Sequence, residues 1–226
     1  MTLAQRIEQV QCTVARAATR SGREPADITI IGVCKTVDRD QVEAAYALGL
    51  RHFGENRVQD AARKFASPLP GDAVLHMIGQ LQTNKVRVAA PLFGVFQSVD
   101  RPSLADALER EGERLERPLP VLIQVNVAGE AQKAGCRVDD APALLARILA
   151  SPHLALRGLM TIAPLVADPE QVRPVFKGLR DLRDELRQLH PDAALDVLSM
   201  GMSDDYAAAI EEGATHVRVG RAIFQD

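Results

Sequence analysis

The chain has 226 residues, 46% of them hydrophobic and 25% charged; 27 Lys and Arg face 30 Asp and Glu, for a formal net charge of −3. This is a globular composition, too apolar for disorder, and it holds no basic surplus to neutralise a nucleic-acid backbone. Trp is absent and aromatic residues make up only 4%, which argues against base-stacking platforms and aromatic-belted membrane surfaces.

The N-terminal segment carries charge at short intervals and has no apolar core of signal-peptide type, so neither a leader nor a membrane span is read there. Leu3, Ile7, Val10 and Val14 recur at three- and four-residue spacing and predict a helix ahead of the first strand. Eight short apolar, β-branched runs follow: residues 28–35, 51–56, 74–79, 94–99, 119–127, 156–162, 195–200 and 215–224. Helical patterns separate them. The clearest lies between Pro169 and Pro191, where Val172, Val175, Phe176, Leu179, Leu182, Leu186 and Leu189 share one face. At about 28 residues per unit, eight βα repeats consume the chain, which predicts a single (β/α)8 TIM barrel spanning 1–226 with an extra N-terminal helix. A doubly wound open sheet is the alternative, but no GxGxxG follows the first run.

Strand exits are where such a barrel places its chemistry. The first run ends at Lys35, and alternation puts Ile31, Val33 and Lys35 on one face. If that face points inward, an amine sits atop a largely apolar barrel. Desolvation disfavours an ammonium, and a neutral amine attacks carbonyls to form a Schiff base. A lysine that snorkels to solvent fits the same pattern. Cys34 should face the helices as a small buried hydrophobe. The second run closes on Phe53-Gly54-Glu55-Asn56, and the third leads into Gly79-Gln80-Leu81-Gln82-Thr83-Asn84-Lys85, polar clusters equally suited to loop capping. Gln124 and Asn126 share a face of the fifth run and need partners if buried. Lys133 reads as solvated; Lys64, Lys85 and Arg87 read as a solvated face, with a second cofactor or partner site as the alternative.

The seventh and eighth runs carry Ser199-Met200-Gly201-Met202-Ser203 and Arg218-Val219-Gly220-Arg221. Loops after these strands are the usual phosphate site of such barrels. Ser203 is equally an ordinary helix N-cap, and Asp204 and Asp205 would repel a dianion unless they faced solvent. Cys12, Cys34 and Cys136 are odd in number and contain no CxxC, which points to a reducing, cytoplasmic compartment rather than a disulfide scaffold. Histidines 52, 76, 153, 190 and 216 show no metal-binding spacing, so no metal site is expected.

Taken together, Val33-Cys34-Lys35-Thr36, residues 53–60, residues 76–85, Leu122–Val127, Gly158-Leu159-Met160, residues 198–205 and Val217–Phe224 resemble the pyridoxal phosphate homeostasis protein family. That family is related to the N-terminal barrel of alanine racemase, a fold-type III barrel, and the resemblance covers essentially the whole chain. It implies that Lys35 holds pyridoxal 5′-phosphate (PLP) as an internal aldimine. Arg218 would face the pyridine nitrogen, Ser203 and the backbone around Gly220 and Arg221 would hold the phosphate, and Asn56 would form a pocket wall. Three positions depart from the pattern: Cys34 where Ser is common, Gln80 where His is frequent, and Arg221 where a small hydroxyl residue is frequent.

An arginine does not serve as a proton acceptor, so a ring nitrogen facing Arg218 stays neutral and carbanion chemistry is weakly supported. The expected role is a PLP carrier in vitamin B6 homeostasis, buffering the cofactor or delivering it to apo PLP-dependent enzymes. No catalytic residue is assigned, and the protein is expected to be a monomer with no nucleic-acid or membrane partner. A weak amino-acid racemase is the alternative, although the opposing tyrosine of the racemase has no counterpart in Tyr46 or Tyr206. A Schiff-base aldolase acting on a phosphorylated sugar is a third reading.

Overall fold

The computed structural model describes residues 1–130 and 132–225. In chain order its elements are α1 (Leu3–Arg20), β1 (Thr29–Val33), α2 (Arg39–Ala47), β2 (His52–Glu55), α3 (Val58–Lys64), β3 (Val74–Met77), α4 (Val86–Ala89), β4 (Val95–Val99) and α5 (Pro102–Arg114). The chain continues through β5 (Leu119–Gln124), α6 (Ala141–Leu149), β6 (Leu154–Met160), α7 (Arg173–Leu189), β7 (Val197–Met202), α8 (Tyr206–Glu211), β8 (His216–Val219) and α9 (Arg221–Phe224). The strands pair in parallel in sequence order. The ring closes where β1 meets β8, with Thr29 opposite His216 and Ile31 opposite Arg218. This is the expected (β/α)8 barrel with its additional N-terminal helix.

Each strand falls on an apolar run because β-branched residues suit a pleated surface covered on both faces. The runs misplace some ends. β6 begins earlier than its run, at Leu154, and β7 begins later, at Val197, and extends to Met202. The eighth run overshoots: β8 stops at Val219, and Ile223 and Phe224 are buried from one helical turn instead.

Alternation divides the strand residues between two faces, one beneath the helices and one toward the lumen. Phe53, Val121, Ile123, Leu159, Leu198 and Val217 are fully buried in the layer beneath the helices. Ile31, Ile78, Leu122 and Met160 lie on the opposite, lumen face. In α7, Phe176, Leu179, Leu182 and Leu186 form the buried stripe. Burying each fully is worth about 1.5–3 kcal/mol. Leu189, the last member of the predicted stripe, is exposed because the helix ends there.

The N-terminal helix starts at a capping box, Thr2 with Gln5. It buries Ile7, Val10, Val14, Ala17 and Ala18 and packs across α8 and α9. Arg6 Nε donates to the Ile223 carbonyl at 2.7 Å.

Gly79, just past β3, sits hard against the exit of β2. A Cβ there would lie 2.7 Å from Asn56 Cα and closer still to its carbonyl oxygen. Backbone cannot yield as a flexible side chain does, so Gly79→Ala should cost about 1–3 kcal/mol. The loss should register in chemical denaturation as a lower midpoint at unchanged slope.

Candidate functional site

A cavity of about 340 Å³ opens at the C-terminal ends of the strands, small for a ligand pocket but within their usual range. Lys35, Asn56, Ser203, Arg218, Gly220 and Arg221 all line it. The sequence separates these residues by up to most of its length, and the closed barrel brings all six together. Val33, Ile78, Ile162 and Met202 add apolar wall.

Lys35 does not end the strand in an apolar interior as expected. β1 stops at Val33, and Lys35 stands in the turn beyond it, exposed at the cavity rim. Its amine makes no hydrogen bond or ion pair among the described residues. The lumen beneath is not apolar either, as described below.

Ser203 is not the helix cap. Asp205 precedes α8 instead, and its carboxylate accepts from the Met202 amide at 2.5 Å. Ser203 Oγ reaches across the mouth and accepts from the amides of Gly220 at 3.3 Å and Ala222 at 3.4 Å. The hydroxyl proton and the amides around it form a cup of donors. The turn that aims Ser203 there passes through Gly201 at φ +90°, with Tyr206 Cα 2.9 Å from where a Cβ would be; only glycine fits both demands. Arg221 turns its guanidinium outward to pair with Asp204, so the carboxylate feared as a repellent is neutralised at the exposed rim. Burial pushes the Asp205 carboxyl up from its ordinary value, against the Met202 amide and the nearby Arg218 charge, which hold it down.

Behind Lys35, on the helix side of the barrel, lies a charged cluster. Lys64, expected to be solvated, is nearly buried and pairs at 2.6 Å with the fully buried Glu55. Its ammonium also donates to the Cys34 carbonyl. Cys34 faces the helices as expected, and its thiol donates to Glu55 Oε1 at 3.4 Å. Burial, reinforced by the Glu55 charge, pushes that thiol far up from its ordinary value. Glu55 Oε2 has no hydrogen-bond partner among the described residues.

The lumen holds a polar column that strand periodicity does not reveal. Arg218 Nη1 donates to Ser199 Oγ at 2.7 Å, and Ser199 Oγ donates to Gln97 Oε1 at 2.7 Å. Gln97 Nε2 meets His76 Nδ1 at 2.9 Å, and His76 Nε2 meets His52 Nδ1 at 2.9 Å. Ser199 is on β7 and Gln97 on β4, strands that are not neighbours, so their bond crosses the lumen. Arg218 Nη2 donates to the Thr161 carbonyl at 2.8 Å. His216 completes a trio of rings at the N-terminal end, its centroid 6.4 Å from each of the other two. Among the described residues no group of His, Cys, Asp or Glu is arranged to hold a metal ion.

Burial lowers the His52 and His76 pKa values, that of His76 strongly, and brings His216 down to about 4. A histidine held neutral by folding but free to charge on unfolding makes the unfolded state bind more protons between the two pKa values. Stability is therefore full above about pH 6.5, the unfolded value, and is lost as pH falls toward about 4. The expected slope approaches about 1.4 kcal/mol per pH unit for each such group. Urea unfolding at a series of pH values measures it, and His216→Phe should flatten it.

Gln124 and Asn126 do find partners. Gln124 Nε2 donates to the Ala134 carbonyl and Asn126 Nδ2 to that of Glu130, so both hold the loop after β5. Lys133 is half-buried beside Glu130 rather than solvated, 3.3 Å from its carboxylate. The chain after β6, running on beyond the sixth apolar run, also lines the cavity. Ile162, Pro164, Leu165 and Val166 wall the cavity, and Leu165 is 83% exposed. An apolar, proline-bearing stretch directly after a strand was the available signal.

Residues 14–226 match the family model of the alanine racemase N-terminal domain. Two relatives, each named pyridoxal phosphate homeostasis protein, span nearly the whole chain. The one from Pseudomonas aeruginosa is 43% identical, covering 99% of this chain and 95% of its own length. The one from Aquifex aeolicus is 40% identical, covering 99% and 98%. The structure of PipY from Synechococcus elongatus PCC7942 with PLP bound superposes at a TM-score of 0.86 with 36% identity, covering 99% of this chain and 100% of that one. Alanine racemase from Corynebacterium glutamicum shares the fold at 14% identity and a TM-score of 0.68, with this chain covering 60% of its length. The barrel, the residues gathered at its mouth and these relatives lead to one assignment: the chain belongs to the pyridoxal phosphate homeostasis protein family, within the alanine racemase N-terminal domain family.

Proposed function

We propose that this protein binds pyridoxal 5′-phosphate reversibly at the barrel mouth, with Lys35 as the amine that holds it, and buffers the cofactor or delivers it within the cell. The observation that carries this reading is the convergence of three complementary groups on one cavity. Lys35 offers a free primary amine, Ser203 with the Gly220 and Ala222 amides offers donors, and Arg218 offers a buried guanidinium. These suit the aldehyde, the phosphate and the ring nitrogen of PLP, while Val33, Ile78, Ile162 and Met202 suit the faces of its ring. Asn56 forms the wall beside Lys35, and Gly220 and Arg221 lend backbone to the phosphate cup. When bound, the cofactor supplies an aldehyde that condenses with a primary amine and releases water.

Arg218 is pulled down to about 10 by burial, with the Asp205 charge opposing, and so remains charged at neutral pH. It donates to a ring nitrogen rather than taking its proton. A racemase also needs a second acid/base on the far face of its substrate. Tyr46 donates to Asp72 away from the mouth, Tyr206 is buried at the start of α8, and neither lines the cavity. These features favour a carrier over a racemase.

The test is to load the purified protein with PLP, reduce with borohydride and map the adduct. The expected site is Lys35; no adduct, or one fixed elsewhere, overturns the proposal. Ser203→Ala should weaken PLP binding roughly 10- to 100-fold, the worth of a hydrogen bond to a charged group, as read by fluorescence titration. Pyridoxal without its phosphate should bind the two proteins alike. Product chirality measured with saturating PLP and L-alanine decides against or for the racemase.

A further inference from the structure

The column beneath the cavity has a direction, set by the donors of Arg218 at one end and by the orientation of the Gln97 amide in its middle. A guanidinium has only donors, so Ser199 Oγ accepts from Arg218. The Ser199 hydroxyl proton is then spent on Gln97 Oε1, which leaves the Gln97 amide as the donor to His76 Nδ1. His76 Nδ1 therefore carries no proton, and Nε2–H must donate to His52 Nδ1. Every member hands its proton away from the mouth. The column is fully buried at Ser199 and Gln97 and nearly so at His76 and Arg218, where reversing any single link by itself would leave two donors or two acceptors facing each other. Burial keeps His76 and His52 in the neutral forms this order requires.

We infer that Ser199, Gln97 and His76 are positioning residues for Arg218: a one-way donor chain through the lumen that fixes the guanidinium plane at the cavity it lines. The bond to Ser199 and the bond from Nη2 to the Thr161 carbonyl clamp two corners of the guanidinium. Its remaining hydrogens are then the ones left to serve the cavity that Arg218 lines. The inference rests on the reading of Arg218 as the partner of the PLP ring nitrogen. The chain itself is a property of the cofactor-free protein and can be tested there.

Nitrogen-15 NMR of the full-length, cofactor-free protein should show His76 as the Nε2–H tautomer at neutral pH. A His76 protonated at Nδ1 would overturn the inference. The Gln97→Glu variant keeps the shape but removes the donor facing His76. A proton should then appear on His76 Nδ1, and an unaltered His76 signal would count against the chain. Ser199→Ala should free the guanidinium, seen as faster rotation about the Arg218 Cζ–Nε bond, with Ser199→Thr restoring the slow rate. Unchanged rotation in a folded Ser199→Ala protein overturns the positioning role.

In PLP-loaded protein, Ser199→Ala should also shift the cofactor absorbance and release PLP roughly tenfold faster, about the value of one hydrogen bond to a charged group. Equal spectra and release rates would defeat the link to the ring. If wild type captures no PLP at all, the functional proposal fails while the tautomer and rotation readings still stand or fall alone.

Discussion

Replacing Lys35 by Ala should abolish covalent capture of PLP and its transfer to an apo-enzyme while leaving the barrel intact. Lys35 is exposed and bonds to nothing else among the described residues, and substitutions of that kind usually change stability by no more than about 0.5 kcal/mol. Its whole contribution is the bond to the aldehyde. Without it, only the donor cup at Ser203 and the contact to Arg218 remain, and affinity should fall by about two orders of magnitude or more. The measurement mixes loaded protein with an apo PLP-dependent enzyme and follows the recovery of activity. Transfer that persists unchanged in Lys35→Ala would overturn the carrier reading, and recovery no faster than with free PLP would restrict the role to storage.

The largest stability effect is expected at Lys64, a residue with no place in the cavity. Lys64→Met leaves the Glu55 carboxylate buried without its counter-ion, a situation that costs about 3–5 kcal/mol. The carboxylate already has one oxygen without a hydrogen-bond partner among the described residues, so little in its surroundings can compensate. Replacing both residues, Lys64→Met with Glu55→Leu, removes the stranded charge and should recover most of the loss. Urea denaturation of the two single variants and the pair supplies the double-mutant cycle. A mild Lys64→Met phenotype, below about 1 kcal/mol, would mean that water reaches the pair and screens it. Because Lys64 also holds the Cys34 carbonyl, the residue before Lys35, the single variant should loosen PLP binding as well.

Much of this was legible in the chain. Eight β-branched runs announced eight strands, because a strand covered on both faces needs an unbroken apolar stretch. Lys35, Asn56, Ser203, Arg218, Gly220 and Arg221 were legible as polar or flexible residues at strand exits, and the resemblance to a family gave them roles. Other features were not. Alternation tells which face His52, His76, Gln97, Ser199 and Arg218 share, yet it says nothing of which strands confront each other across a closed ring. The bond between β4 and β7 is a consequence of closure alone. Glu55 and Lys64 read as loop polarity and a solvated charge because pairing across a strand–helix interface leaves no periodic trace. The eighth run concealed a turn of helix because Ile223 and Phe224 are buried there just as they would be in a strand.

The tie from Arg6 to the Ile223 carbonyl joins positions 217 residues apart, and the seam from Thr29 to His216 spans almost as much chain. Contacts of such sequence separation form late, since loop closure must be paid before they reward it. Until β8 docks, β1 presents an unpaired edge and α1 has no α9 to clasp. The ring and its cavity should therefore appear in one concerted step, with Lys35 and Arg218 meeting only as the seam shuts. A PLP-responsive signal during refolding would accordingly report closure of the barrel, and not the earlier growth of its individual βα units.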